Sequence, residues 1–158
     1  MARMRYMCRF PGKYAGDPQR IFARSRFELA YMQALDSSNV VAKWISEPKT
    51  LNITYVSPID RKTHEYWPDF MVQYLDGSVE LIEFKPLKEA LAENAHTNYD
   101  KIMVLKNAAK WAAADHFARS IGARFKVITE KNFFRRRSST KPKRPRTTRP
   151  ARRTRGSL

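Results

Sequence analysis

The chain has 158 residues, 42% of them hydrophobic, and a formal net charge of +16, which suits one domain around one modest core. No apolar run reaches the roughly 18 residues that a membrane-spanning helix needs. The segment before Gly12 lacks the apolar centre of a secretory signal, Pro11-Gly12 would break an amphipathic transit helix, and the single cysteine, Cys8, excludes an intramolecular disulfide and a cysteine-rich zinc site.

In chain order, Met1–Arg20 reads as an irregular arm, with turn signals at Pro11-Gly12 and Gly16-Asp17-Pro18. A first helix is expected over Arg24–Leu35. Ser25 is placed to cap it, Glu28 stands three residues on where a capping-box acid belongs, and Phe27, Tyr31, Ala34 and Leu35 recur at helical spacing. Ser37-Ser38-Asn39 ends it. Val40–Trp44 reads as a short extended piece. Leu51, Ile53 and Tyr55 then alternate with polar residues, as a strand does, before a turn at Ser57-Pro58-Ile59-Asp60. Tyr66–Leu75 and Val79–Lys85 read as two strands joined by Asp76-Gly77, a strong hairpin signal. Pro86–Thr97 is a connection. A long helix is expected over Asn98–Ser120, with Ile102, Leu105, Ala109, Ala112, Ala113 and Phe117 as its apolar stripe and Gly122 past its end. Phe125–Thr129 is a last strand and Glu130–Phe134 a final turn.

Arg135–Leu158 follows with eleven Lys or Arg and no acid, so only five of the net charges belong to the rest of the chain. It has no apolar periodicity and is rich in Pro, Ser and Thr, so it cannot offset its ordering entropy and is expected to be disordered. Its cations, among them Arg135, Arg136, Arg137, Lys141, Lys143 and Arg144, would attract phosphate without reading sequence. The expected organisation is an arm over 1–20, a domain over 21–134 and a basic tail over 135–158. The element order α-β-β-β-α-β implies a three-layer α/β sandwich on a mixed sheet.

The chemistry concentrates in Trp67-Pro68-Asp69 and Leu81-Ile82-Glu83-Phe84-Lys85. Alternate strand residues share a face, so Glu83 and Lys85 project together. The Asp76-Gly77 turn lies midway between Asp69 and Glu83 and folds them alongside each other. Two adjacent carboxylates repel and favour a cation between them. Oxygen ligands with open water positions suit Mg²⁺, which can polarise a phosphoryl oxygen and acidify water. A nearby lysine can stabilise charge developing on phosphorus. The bland alternative is a solvated hairpin with alternating charges. His64, His96 and His116 read as surface or structural residues, the three tryptophans as core or rim, and Lys101, Lys106 and Lys110 as a solvated helix face.

The string Pro68-Asp69 … Glu83-Phe84-Lys85, in this element order, resembles the PD-(D/E)XK nucleases and their restriction-endonuclease-like core. Further strings extend the likeness: Lys13-Tyr14-Ala15-Gly16-Asp17-Pro18, Arg24-Ser25, helical Glu28, Leu35-Asp36, Lys43-Trp44-Ile45-Ser46-Glu47, Ile82–Pro86 and Phe125–Glu130. Together they resemble the head-completion nucleases of T4-like tailed phages and, more distantly, TnsA-type transposon-end nucleases and T7-type junction resolvases. The resemblance implies that Asp69 and Glu83 hold metal with the backbone carbonyl of Phe84, that Lys85 is the catalytic lysine, and that helical Glu28 assists. It leaves open whether Glu28 only caps its helix, and what Glu47 does where TnsA-like relatives often carry Gln. It implies Mg²⁺, with Mn²⁺ as substitute, and neither a small-molecule cofactor nor a membrane partner. The expected partner is DNA, with phage head or neck proteins beside it, in the host cytoplasm or the virion. The expected activity is endonucleolytic processing of DNA at head completion. Cleavage of transposon ends or junctions, and a virion protein that keeps the fold without the chemistry, are the alternatives. These families end near the position of Phe134, so the basic tail is an addition here.

Overall fold

A computed structural model describes residues 3–91, 93, 95–129 and 131–133. The elements are β1 (Met4–Tyr6), a 3-10 turn (Pro11–Lys13), β2 (Ile21–Ala23), α1 (Arg26–Ser37), β3 (Val41–Ser46), β4 (Ile53–Val56), β5 (Thr63–Tyr66), β6 (Phe70–Tyr74), β7 (Val79–Phe84), α2 (Leu87–Ala90), α3 (Asn98–Ser120) and β8 (Arg124–Ile128). The basic tail, including Arg135, Arg136, Arg137, Lys141, Lys143 and Arg144, lies outside the described residues, as do Glu130 and Phe134.

The central sheet runs β3-β6-β7-β8. Its first two pairings are antiparallel and β7–β8 is parallel, so the sheet is mixed. The tight turn at Asp76-Gly77, with Gly77 at φ +86, sets the β6–β7 register: Phe70 faces Ile82 and Met71 faces Leu81. Each face of the sheet has its own core. On one face Phe70, Val72, Ile82 and Phe84 pack with Trp44, Met32 and Leu35. There Phe27 and Tyr31 of α1 meet the Phe84 ring edge-on at 4.5 and 4.8 Å. On the other face Leu81 packs with Ile53, Tyr55, Tyr66, Ala114 and Ala118. Small residues at 114 and 118 bring α3 close to the sheet.

The helix ends follow local chemistry. The Ser25 hydroxyl accepts from the Glu28 amide at 3.0 Å at the start of α1, and Thr97 and Asp100 form a full capping box on α3. At the end of α3, Gly122 has φ +72. Its N–H donates to Arg119 O and the Ala123 N–H to Ala118 O, closing a left-handed cap.

Three expectations need correction. The arm over Met1–Arg20 is not wholly irregular, because β1 pairs antiparallel with β2, Met4 to Ala23 and Tyr6 to Ile21. Its anchor is buried Asp36 near the end of α1. That carboxylate accepts from the Tyr6 hydroxyl at 2.7 Å and from the Arg9 and Phe10 amides at 2.6 and 3.1 Å. The strand expected over Tyr66–Leu75 is two strands in two sheets, since β5 pairs with β4 and β6 with β3 and β7. The break at Trp67-Pro68-Asp69 follows from Pro68, which has no amide to give a ladder. On α3, Ile102 and Leu105 are exposed, while Asn107 is fully buried and donates to Glu89 O at 3.3 Å. Among the described residues, those of α3 that join the core against the sheet run from Ala109 to Ala118, in its second half.

The β1–β2 hairpin leads directly into Arg24 and the start of α1, so what anchors it also positions that corner. Asp36→Ala would orphan two amides and a hydroxyl and should cost about 3 kcal/mol, read as a lowered urea midpoint at unchanged slope. A loss below about 1 kcal/mol would mean that Asp36 does not hold the hairpin.

Candidate active site

Beside the end of β7 lies an open cleft of about 370 Å³ into which six segments deliver polar side chains. β7 supplies Glu83 on the face it shares with Leu81, and Lys85 follows on that face one residue past the strand. The Glu83 carboxylate is buried; Oε2 accepts from the Tyr66 hydroxyl at 2.8 Å, and Oε1 lies 3.3 Å from Lys85 Nζ. Asp69 stands just before β6, across from Glu83 in the extended hairpin register. Its Oδ2 accepts from the Phe84 amide at 2.7 Å, and its Oδ1 from Arg24 Nη2 at 3.0 Å.

Besides Tyr66, the end of β3 and the start of α1 reach in from outside the central hairpin. The β3–β6 ladder continues one residue past β3, where the Glu47 amide donates to Asp69 O at 2.9 Å. Glu47 is left-handed, with φ +44, an uncommon conformation for a residue with a Cβ. Its Oε1 lies 2.9 Å from Arg24 Nη1. Glu28 folds back over the start of α1, where Oε2 accepts from the Arg24 amide at 2.9 Å and lies 3.9 Å from Arg24 Nε. Glu28 therefore gives its amide to the Ser25 cap, takes the Arg24 amide one residue before that cap, and lines the cleft as well.

The electrostatics of the cleft are those of crowded carboxylates. Burial, first, and the neighbouring Glu83, second, push the Asp69 carboxyl up to about 7, although the Phe84 amide and Arg24 pull the other way. Tyr66 is raised by burial and by Glu83, so it stays a neutral donor to that carboxylate. Lys110 of α3 lines the same cleft. Its Nζ lies 5.8 Å from the Tyr55 ring centre and 5.7 Å from that of Tyr66, and burial, then Lys85, lowers its pKa.

The structure thus brings together Asp69, Glu83, Lys85, Glu28 and the Phe84 backbone. Reading the sequence missed Arg24, Tyr66 and Lys110. Lys110 corrects the expectation of a solvated face, and helical spacing alone could not reveal it, because the β4–β5 hairpin that covers it is a tertiary neighbour. Arg24 directly precedes a helix cap and Tyr66 ends a strand, which are weak signals alone. His64 is half-buried, with Nε2 2.8 Å from Asp60 Oδ2, while His96 and His116 are exposed. Trp44 is buried, while Trp67 is exposed at the rim of the cleft.

The raised Asp69 fixes a pH dependence. The folded chain holds this proton more tightly than the unfolded one, so the stability it contributes is full below pH 4 and lost as pH rises through about 7. Without divalent cations, Asp69→Asn should therefore gain stability relative to wild type between pH 4 and pH 8. Thermal melts of both proteins in EDTA across that range check it, and parallel curves would refute the assignment.

Residues 38–130 match the family model of the TnsA-like endonuclease N-terminal domain. The chain is 32% identical over 128 residues to the head completion nuclease of Enterobacteria phage T4, an alignment that covers 75% of this chain and 84% of the relative. No solved structure matches.

Proposed function

The chain belongs to the TnsA-like endonuclease family, of the PD-(D/E)XK type, and on that premise we propose that it hydrolyses phosphodiester bonds of DNA with a divalent cation at Asp69 and Glu83. The observation that carries this reading is the cleft itself. The buried Glu83 and the part-buried Asp69 share it from adjacent arms of the hairpin, and Lys85 stands 3.3 Å from Glu83.

The donor set fits such a cation. Two repelling carboxylates kept partly from water supply oxygen ligands and favour a positive charge between them. Among the described residues no three His, Cys, Asp or Glu side chains form a ready cluster. Asp69 and Glu83, with the Phe84 carbonyl and waters, would make the shell, which suits Mg²⁺ or Mn²⁺. Such an ion supplies Lewis acidity toward a phosphoryl oxygen and acidifies water. The chain's own groups do the rest. The Tyr66 hydroxyl and the Phe84 amide orient the two carboxylates. Lys85 directs a water at phosphorus and, with Lys110, steadies the charge that builds there. The water gives up a proton to solvent as its oxygen adds to phosphorus, the bond to one sugar oxygen breaks, and that oxygen takes up a proton from solvent. Glu28 acts by holding the Arg24 backbone.

Likeness to the phage head completion nuclease supports DNA processing at head completion. The partners would then be DNA and phage head or neck proteins, in the host cytoplasm or the particle. No helix among the described residues is long and apolar enough to cross a membrane. The family model favours a second reading, cleavage at transposon ends. Supercoiled, linear, transposon-end and branched DNA assayed side by side separate the two. Preference for free linear ends supports the first, and selective cutting at transposon ends the second.

Asp69→Ala and Lys85→Ala should each abolish Mg²⁺-dependent cleavage while the fold persists by circular dichroism. Mn²⁺ should replace Mg²⁺, and Ca²⁺ should permit DNA binding with little cleavage, because its looser coordination places water less well. Wild-type rates in either variant, or full activity in excess EDTA, would remove the assignment.

Deleting Arg135–Leu158 takes away eleven cations and no group of the cleft. If about half of them touch phosphate at once, the salt slope of duplex binding should fall by roughly 5. Turnover at saturating DNA should survive, since the tail supplies attraction to the ground state rather than to the transition state. Salt titrations of both forms check this. Equal slopes would mean that the tail binds something other than DNA.

A further inference from the structure

The guanidinium of Arg24 holds a place in the cleft that the proposed chemistry does not use. The Arg24 backbone is pinned, because its amide donates to Glu28 Oε2 at 2.9 Å immediately before the cap of α1. Its guanidinium is half exposed and forked, with Nη1 2.9 Å from Glu47 Oε1 and Nη2 3.0 Å from Asp69 Oδ1. Among the described residues, it is the cation paired with Asp69, as Lys85 is with Glu83. A guanidinium is always charged and matches carboxylate and phosphate geometry equally well. The carboxylate oxygen it engages belongs to the group that would hold the cation, so guanidinium and cation compete for the same negative charge.

Building on the metal site proposed above, we propose that Arg24 is a resident counter-ion: it neutralises Asp69 and Glu47 in the free protein and transfers to a DNA phosphodiester entering the cleft, so that metal and DNA load cooperatively. The pinned backbone keeps the arginine at the rim, and its half-exposed side chain is free to turn from carboxylate to phosphate. In the free protein a divalent cation meets a site whose charge is already balanced, and its binding is weakened by the like charge of Arg24. Once the guanidinium pairs with phosphate, Asp69 regains its full attraction for the cation. Linkage makes the effect reciprocal, so bound metal must also tighten DNA. A purely structural clamp predicts the opposite sign: an arginine that merely holds Asp69 in place would, when removed, weaken the site.

The test is Mn²⁺ binding by calorimetry to the full chain. Without DNA, Arg24→Gln should bind Mn²⁺ about tenfold more tightly than wild type, as a like charge near the site is removed. Arg24→Lys keeps one charge but cannot bridge two carboxylates, and should fall between. It also serves if the Gln variant melts below the working temperature. In a Lys85→Ala background, which prevents cutting, added duplex should tighten Mn²⁺ severalfold when Arg24 is present and have little effect in Arg24→Gln. Unchanged or weaker Mn²⁺ binding by both Arg24 variants, or DNA coupling that survives without Arg24, would overturn the counter-ion role while leaving the metal site intact. No Mn²⁺ binding by wild type, with or without DNA, would overturn the metal site and the counter-ion role together.

Discussion

Asp69 and Glu83 come from adjacent strands and share a cleft that keeps both partly from water, so each disfavours the charge of the other. The surrounding structure answers that repulsion. Glu83 receives the Tyr66 hydroxyl and Lys85, and Asp69 receives the Phe84 amide and Arg24. These groups arrive from three parts of the chain. The β4–β5 hairpin ends in Tyr66, the β1–β2 hairpin leads into Arg24, and the end of β7 supplies Phe84 with Lys85 one residue beyond. The cleft is thus the point at which several otherwise separate elements have a reason to converge.

A second buried carboxylate shows what that repulsion means. Glu80 lies on β7 three residues from Glu83 and points to the opposite face. Burial raises its pKa, but Lys126, the Tyr74 hydroxyl and Arg124 outweigh burial, and the net shift is downward. Asp69 has one cation paired with it and a second carboxylate nearby, and its net shift is upward. One strand therefore carries a carboxylate whose neighbours outweigh its burial and lies beside another, Asp69, whose neighbours do not. Unsatisfied charge in a cleft is what a site for a cation and a phosphate requires, and satisfied charge under a sheet is what stability requires.

The rigidity of the site follows from the place of β7 in the sheet. It is interior, paired antiparallel with β6 and parallel with β8, and the Lys85 amide continues the ladder to Ile128 O at 3.0 Å. Its apolar residues pack on both faces, Ile82 and Phe84 against α1 and Leu81 against α3. Side chains on such a strand keep their positions, as a constellation that must orient a water demands. The rim differs. Arg24, Glu47 and Trp67 are at least one-third exposed, so the groups most able to move are those that an incoming nucleic acid meets first.

The local pattern alone carried much of the fold and the heart of the site. Ser25 and Glu28 mark the start of a helix, Gly122 marks the end of another, and Asp76-Gly77 marks a turn whose midpoint places Asp69 opposite Glu83. All of these depend on neighbours within a few residues, and a strand's period of two puts Glu83 and Lys85 on one face wherever the strand lies. Contacts between distant segments had no such signature. Pro68 signals a break in a ladder, but that the two halves join different sheets depends on which partners are available. Arg24 reaches Asp69 across 45 residues, and Tyr66 reaches Glu83 across 17. Lys110 looked like one more surface lysine until the β4–β5 hairpin was laid over it, and Ile102 and Leu105 looked like core until the fold left them exposed. Which side chains neutralise a buried carboxylate, and which apolar residues find a core, depends on packing between elements far apart in the chain, and no local periodicity encodes that.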